Sequence, residues 1–172
     1  MAGERTNMKI GIISDTHDNL WRLDEAIQRL EGVEAVLHCG DLISPFMVHR
    51  LGKGLPEIPV HMVWGNNDGD KRAVSNAAEG YAGFKIYGEI AELELGGLRI
   101  AINHYPEIAK GLAKSGLYDL VCYGHDHTAH QELVAGSTIL LNPGEVMGLK
   151  GSASLAILDT KTMEIEKVTF WP

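Results

Sequence analysis

Lys9-Ile10-Gly11-Ile12-Ile13-Ser14-Asp15-Thr16-His17-Asp18 is an apolar run that stops abruptly on polar side chains. Five residues of such a run suit a strand buried on both faces. Leu20, Leu23, Ile27 and Leu30 follow at spacings of three and four, one apolar face of a helix that Asp18 or Asn19 can cap. Ala35-Val36-Leu37-His38-Cys39 repeats the strand and ends at Gly40-Asp41. A short helix is expected after Pro45, carrying Phe46, Val48 and Leu51. Val60-His61-Met62-Val63-Trp64 is a third strand, ending at Gly65-Asn66-Asn67-Asp68. Strand, helix, strand, helix, strand in this order predicts a parallel sheet built by βαβ crossovers.

Further along the pattern changes. Ile90 to Leu95 and Leu98 to Asn103 flank Gly96-Gly97, a hairpin signal. A helix is expected around Glu107 to Ser115, and a strand from Tyr118 to Tyr123 ending at Gly124-His125-Asp126-His127. Gln131 to Ala135 with Thr138 to Leu141, and Ala153 to Leu158 with Met163 to Phe170, read as two more hairpins. The second half is therefore expected to be mostly antiparallel. Two sheets face to face, with helices outside, would bury both halves in one core. Trp21, Leu30 and the other apolar helical residues are core candidates. Residues 8–172 are expected to form a single domain, with residues 1–7 a flexible polar extension.

Metal-type residues recur where strands end: Asp15 and His17 after the first, Asp41 after the second and Asn66 after the third. His104 follows Asn103, and His125 and His127 follow Tyr123. The C-terminal ends of parallel strands line the ligand crevice of open α/β sheets. Five loops could thus deliver seven ligands to one place. Carboxylate, imidazole and amide oxygen together suit manganese, iron, cobalt, nickel or zinc better than calcium or magnesium alone. A carboxylate can bridge two cations, and two cations about 3.5–4 Å apart can clamp a phosphoryl group and its attacking oxygen.

The chain has 172 residues and a formal net charge of −8, with 45% hydrophobic and 22% charged residues. That is the composition of a globular domain. No segment reaches the roughly 18 apolar residues of a membrane helix, and no apolar secretory leader precedes the first strand. The acidic balance, without a basic stripe, disfavours non-specific binding to nucleic acid. Cys39 and Cys122 lack CxxC spacing and read as small buried hydrophobes, which suits a cytoplasmic protein.

The ordered set DxH, GD, GNxD, an isolated histidine after a strand, and GHxH resembles the calcineurin-like metallophosphoesterases. More closely, the chain is similar to the small YfcE-type phosphodiesterase subfamily, through Ser14 to Asn19, His38 to Asp41, Gly65 to Asp68, Ser115 to His127 and Asn142 to Glu145. The resemblance implies the metallophosphoesterase fold, a four-layer α/β/β/α sandwich of two mixed sheets flanked by helices. It implies one cation on Asp15, His17, the bridging Asp41 and His127, and another on Asp41, Asn66, His104 and His125. Manganese is expected first, with nickel, cobalt, iron or zinc as alternatives. The implied reaction is hydrolysis of a small phosphodiester by a hydroxide bridging the two cations. The alternatives are a phosphomonoesterase with the same site and a non-catalytic protein-interaction scaffold of the same fold. A homo-oligomer is also implied.

Three positions depart from the family pattern. Asn67 stands where a histidine often protonates the leaving group, and an amide is no general acid; it is expected to touch substrate. Tyr105-Pro106 follows His104 where glycine is usual, and Asp126 divides the GHxH pair where threonine is usual. His38, three residues before Asp41, is a candidate for orienting a ligand or the substrate, and Asn142 for supporting the site. Asp18, Asn19 and Asp68 read as caps or turn formers, and Asp68, Asp70 and Glu79 as solvated charges.

Overall fold

The opening apolar run forms β1 (Lys9–Ile13) in the computed structural model, which describes residues 5–171. Ile10 and Ile12 pack to one side of the strand and Ile13 to the other, all fully buried. That two-sided burial explains why the run carries no polar alternation. Asn19 caps α1 (Leu20–Arg29), its side chain accepting from Arg22 N. The chain continues through β2 (Ala35–His38), α2 (Pro45–Gly54), β3 (Val60–Met62), α3 (Lys71–Glu79) and β4 (Phe84–Ile86). Then come β5 (Ile90–Leu95), β6 (Leu98–Asn103), α4 (Pro106–Lys114), β7 (Leu120–Cys122), β8 (His130–Val134) and β9 (Thr138–Asn142). The hairpin of β10 (Ala153–Asp159) and β11 (Ile165–Phe170) completes it.

One sheet runs β11-β10-β1-β2-β3-β4, with β1 to β4 parallel and the last hairpin added antiparallel to β1. The other runs β5-β6-β7-β9-β8. Three apolar layers define the sandwich. Leu23, Met47, Leu51 and Val74 of the first three helices cover the outside of the first sheet. Ile10, Ile12 and Leu37 meet Ile100, Leu120 and Leu141 between the sheets. Ala109 and Ala113 of α4 pack on Val121 and Leu140 outside the second sheet. Helix, sheet, sheet, helix is the four-layer arrangement expected.

Some expectations need correction. β6, β7 and β9 are mutually parallel, so the second sheet is mixed rather than mainly antiparallel. The crossovers through α4 and the β8 hairpin return each strand to the same direction. Hydrophobic patterning predicts neither the helix at α3 nor the strand at β4. The apolar face of α3 is only Val74, Ala77 and Ala78, and its start is signalled by Asp70, which accepts from Ala73 N. Trp21 is 78% exposed and does not join the core. At the N-terminus, Thr6 N donates to Gly96 O and Thr160 Oγ1 donates to Thr6 O, while residues 1–4 of the expected extension lie outside the described residues.

Candidate metal centre

Each candidate ligand sits on a loop leaving the C-terminal end of a strand. β1 leads to Asp15 and His17, β2 to Asp41, β3 to Asn66, β6 to His104, and β7 to His125 and His127. The parallel strands of both sheets therefore empty onto one end of the sandwich. Asp15 N donates to Gly40 O, and Thr16 N and His17 N both donate to Asp41 O, locking the first two loops together. Gly124 N donates to His104 O and ties the second sheet's loops the same way. The backbone is strained here: Asp15, His17, Asp41, His125 and His127 all have positive φ, between 42° and 73°. Non-glycine residues rarely adopt that region, and its clustering on candidate ligands fits strain held at a functional site.

The seven side chains converge. His17 Nε2 stands 3.6 Å from Asp15 Oδ1 and 3.3 Å from Asp41 Oδ2. His127 Nε2 is 3.3 Å from Asp15 Oδ1, and His104 Nε2 is 3.4 Å from Asp41 Oδ2. Asn66 Oδ1 lies between two imidazoles, 3.0 Å from His104 Nε2 and 2.8 Å from His125 Nδ1. Among the described residues, two groups have ligand atoms close enough to hold an ion together, Asp15 with His17 and His127, and Asp15 with Asp41 and His104. The donor set fits a divalent cation. Asp15 Oδ1 and His17 Nε2 are buried without a hydrogen-bond partner among the described residues, an arrangement that costs about 1–3 kcal/mol per orphaned group. A cation between them would satisfy both.

The electrostatics follow from that crowding. The carboxylates of Asp15 and Asp41 raise the His17 imidazole to about 9 against the opposing effect of burial. Burial alone would raise Asp41. The imidazoles of His104 and His17 and the Asn67 N–H outweigh it and hold that carboxyl well below the usual range. Protons on the imidazoles thus do part of what a cation would do.

Behind the ligands, small and buried groups set the geometry. A Cβ on Gly65 would lie 2.1 Å from Asp41 Oδ1, and one on Gly124 would lie 2.0 Å from Ser14 Oγ and 2.6 Å from Asp15 Oδ2. Only glycine lets these carboxylates close on the centre. Ser14 Oγ donates to Asp15 Oδ2 at 2.6 Å, leaving Oδ1 free. Asp68 is buried and accepts from three backbone amides, Asp41 N, Ile43 N and Gly65 N. It is not the solvated charge expected from sequence. Glu145 is also buried, with Oε2 2.6 Å from His127 Nδ1. Its only signal in the sequence was its place after Pro143-Gly144.

The other candidates resolve individually. Asn67 donates from its backbone to Asp41 Oδ1 at 2.8 Å and from its amide to Asp41 Oδ2 at 2.7 Å. His38 is fully buried, beside Thr16 Oγ1 and accepting from Gly40 N. Burial pushes its imidazole down to about 4. Its ring has no exposed surface, and through Thr16 and Gly40 it lies between the Asp15 and Asp41 loops. Asn142 donates to Gly124 O and Asp126 Oδ1, so both residues brace the loop carrying His125 and His127. His49 and His61 meet tyrosine hydroxyls, and His130 meets Glu132, all away from the cluster.

Residues 8–163 match the family model of the calcineurin-like phosphoesterase superfamily domain. The chain is similar to the phosphodiesterase MJ0936 of Methanocaldococcus jannaschii, 35% identical over 94% of this chain and 98% of that protein. It is similar to the solved structure of an archaeal phosphodiesterase, with a TM-score of 0.87 at 35% identity, covering 95% of this chain and all of that one. The structure of the E. coli phosphoesterase YfcE shares the fold at 20% identity, with a TM-score of 0.62 over 94% of this chain and 98% of that one. Among the described residues no helix is long and apolar enough to cross a membrane.

Proposed function

The chain belongs to the calcineurin-like phosphoesterase superfamily, and from that premise we propose that it hydrolyses a small phosphodiester at a centre of two divalent cations. The observation that carries this reading is the position of Asp41. Its Oδ2 lies 3.3 Å from His17 Nε2 and 3.4 Å from His104 Nε2, so one carboxylate faces both halves of the ligand set. Asp15, His17, Asp41 and His127 would hold one cation, and Asp41, Asn66, His104 and His125 the other. When bound, such a pair supplies Lewis acidity toward phosphoryl oxygens and a hydroxide nucleophile near neutral pH. The mixed carboxylate, imidazole and amide donors suit manganese, nickel, cobalt, iron or zinc better than calcium or magnesium alone, and the family resemblance puts manganese first.

The chain's own residues do the rest. Asp41 is held by two hydrogen bonds from Asn67, so it cannot swing away from the centre. Glu145 fixes the ring of His127, and Cys39 O lies 2.8 Å from His104 Nδ1, which fixes that ring too. Asn67 has no proton to give a departing alkoxide. Acid catalysis is worth about 10²–10⁴-fold, so the enzyme is expected to favour esters whose leaving group departs as an anion. Lys71 meets Glu89 at 3.4 Å and Lys150 Nζ donates to Asp126 O. The charge of Lys71 is thus paired with Glu89, which favours a singly charged diester over a monoester.

The test is hydrolysis of bis(p-nitrophenyl) phosphate and p-nitrophenyl phosphate by metal-stripped protein, with manganese, nickel, cobalt, zinc or magnesium restored. Cation-dependent cleavage of the diester, lost in Asp41→Asn and His104→Ala, is the expected result. A folded wild-type protein with no turnover under any cation would sink the reading and favour a scaffold role.

A further inference from the structure

Tyr105 sits among the candidate ligands, its ring beside two of them. Its ring centroid is 5.2 Å from that of His104 at an interplanar angle of 78°, and 5.3 Å from that of His125 at 57°. The two imidazoles are themselves 5.1 Å apart. The three rings form one edge of the centre, with Tyr105 partly open to solvent.

The backbone beneath the ring is rigid. Tyr105 N donates to Asn103 Oδ1 at 2.8 Å, and Asn103 Nδ2 donates to Glu89 O at 2.7 Å. Pro106 starts α4 and holds Tyr105 extended, at φ −93° and ψ 131°. Tyr81, Tyr87 and Tyr118 spend their hydroxyls on His49, His61 and Glu92. The Tyr105 hydroxyl bonds to none of the described residues. An aromatic ring on a braced backbone, partly exposed beside the candidate metal centre, is a surface for another flat ring.

We propose that Tyr105 is a specificity-determining residue, its ring being the face against which a planar aromatic ester group of the substrate lies. The inference rests on the diesterase reading and narrows its substrate class. It agrees with the lack of a proton donor at Asn67: aryl esters are good leaving groups, and they are also the esters a ring can hold. Recognition through a neutral π-face also suits a chain whose net charge of −8 repels anionic handles.

The experiment measures, by titration calorimetry on the cation-loaded protein, the affinities of diphenyl phosphate and diethyl phosphate. Wild type, Tyr105→Leu and Tyr105→Phe are compared, with circular dichroism to establish that each is folded. The expected result is that the diphenyl-to-diethyl affinity ratio falls about tenfold in Tyr105→Leu and is retained in Tyr105→Phe. In parallel, the KM for bis(p-nitrophenyl) phosphate should rise in Tyr105→Leu by more than kcat falls. An unchanged ratio in Tyr105→Leu overturns the proposal. So does an equal loss for both ligands, which would mean that the ring only positions His104 and His125. Absence of wild-type turnover would instead fail the diesterase reading, since the affinity ratio is scored on binding alone.

Discussion

Glu145 Oε2 lies 2.6 Å from His127 Nδ1, and the same buried carboxylate accepts from Lys150 N through its other oxygen. The imidazole is thereby turned so that Nε2 faces Asp15 Oδ1 at 3.3 Å. A carboxylate behind a ligating histidine fixes its tautomer and raises its basicity, and losing one typically costs 10–100-fold in metal affinity. Glu145→Gln is therefore expected to weaken manganese binding by about tenfold or more. Calorimetric titration would check this, with an unchanged circular dichroism spectrum separating it from unfolding. Affinity equal to wild type would remove Glu145 from the site.

Asp68 holds the Asp41 loop from below. Asp68→Ala leaves three amides without their acceptor, those of Asp41, Ile43 and Gly65. Each unpaired buried group costs about 1–3 kcal/mol. The metal-free variant should therefore melt on the order of 10 °C below wild type, with Asp68→Asn falling between them. A melting temperature within a degree or two of wild type would show that these amides find other partners.

Gly65→Ala tests the close approach of β3's loop to Asp41. The added Cβ would sit 2.1 Å from Asp41 Oδ1 and 2.5 Å from its backbone N, and the backbone cannot yield as a flexible side chain would. The variant is expected to retain less than half of the wild-type manganese after gel filtration, measured by elemental analysis. Gly111→Ala in α4 is the control, because its Cβ meets nothing within 4 Å. It should bind manganese normally and gain up to about 1 kcal/mol of stability from helix propensity.

The pH dependence of the metal-free protein follows from His17, Asp41 and His38. The His17 imidazole is raised from 6.5 to about 9 in the folded state. Its protonated pairing with Asp15 and Asp41 stabilises fully below pH 6.5 and is lost as pH rises through 9. The Asp41 carboxyl is depressed, so its contribution is present above its unfolded value of about 4 and is lost as pH falls further. His38, held near 4 by burial, loses stability as pH falls below 6.5, so the urea midpoint should be highest near pH 6.5 and decline toward pH 9. His17→Asn should flatten the alkaline decline. Added manganese should reverse the trend, since cation and proton compete for the same nitrogen.

Local sequence was enough to set the layer order and to nominate the seven candidate ligands. An apolar run such as Lys9 to Ile13 has one stable environment, a strand covered on both faces, and the loop after such a strand in a parallel sheet opens onto the crevice. Asp15, Asp41, Asn66 and His104 were legible for that reason, because their positions depend on local period and strand ends. Other features depended on packing between distant segments. Trp21, though a core candidate by composition, lies off the face marked by Leu20, Leu23, Ile27 and Leu30 and points into solvent. α3 was invisible because small alanines carry little hydrophobic signal. Asp68 and Glu145 looked like any other acids. Their roles come from amides and a histidine brought to them from Asp41, Ile43, Gly65 and His127. A carboxylate's chemistry is set by its surroundings, and for the long-range partners among these the surroundings exist only once distant segments are packed together.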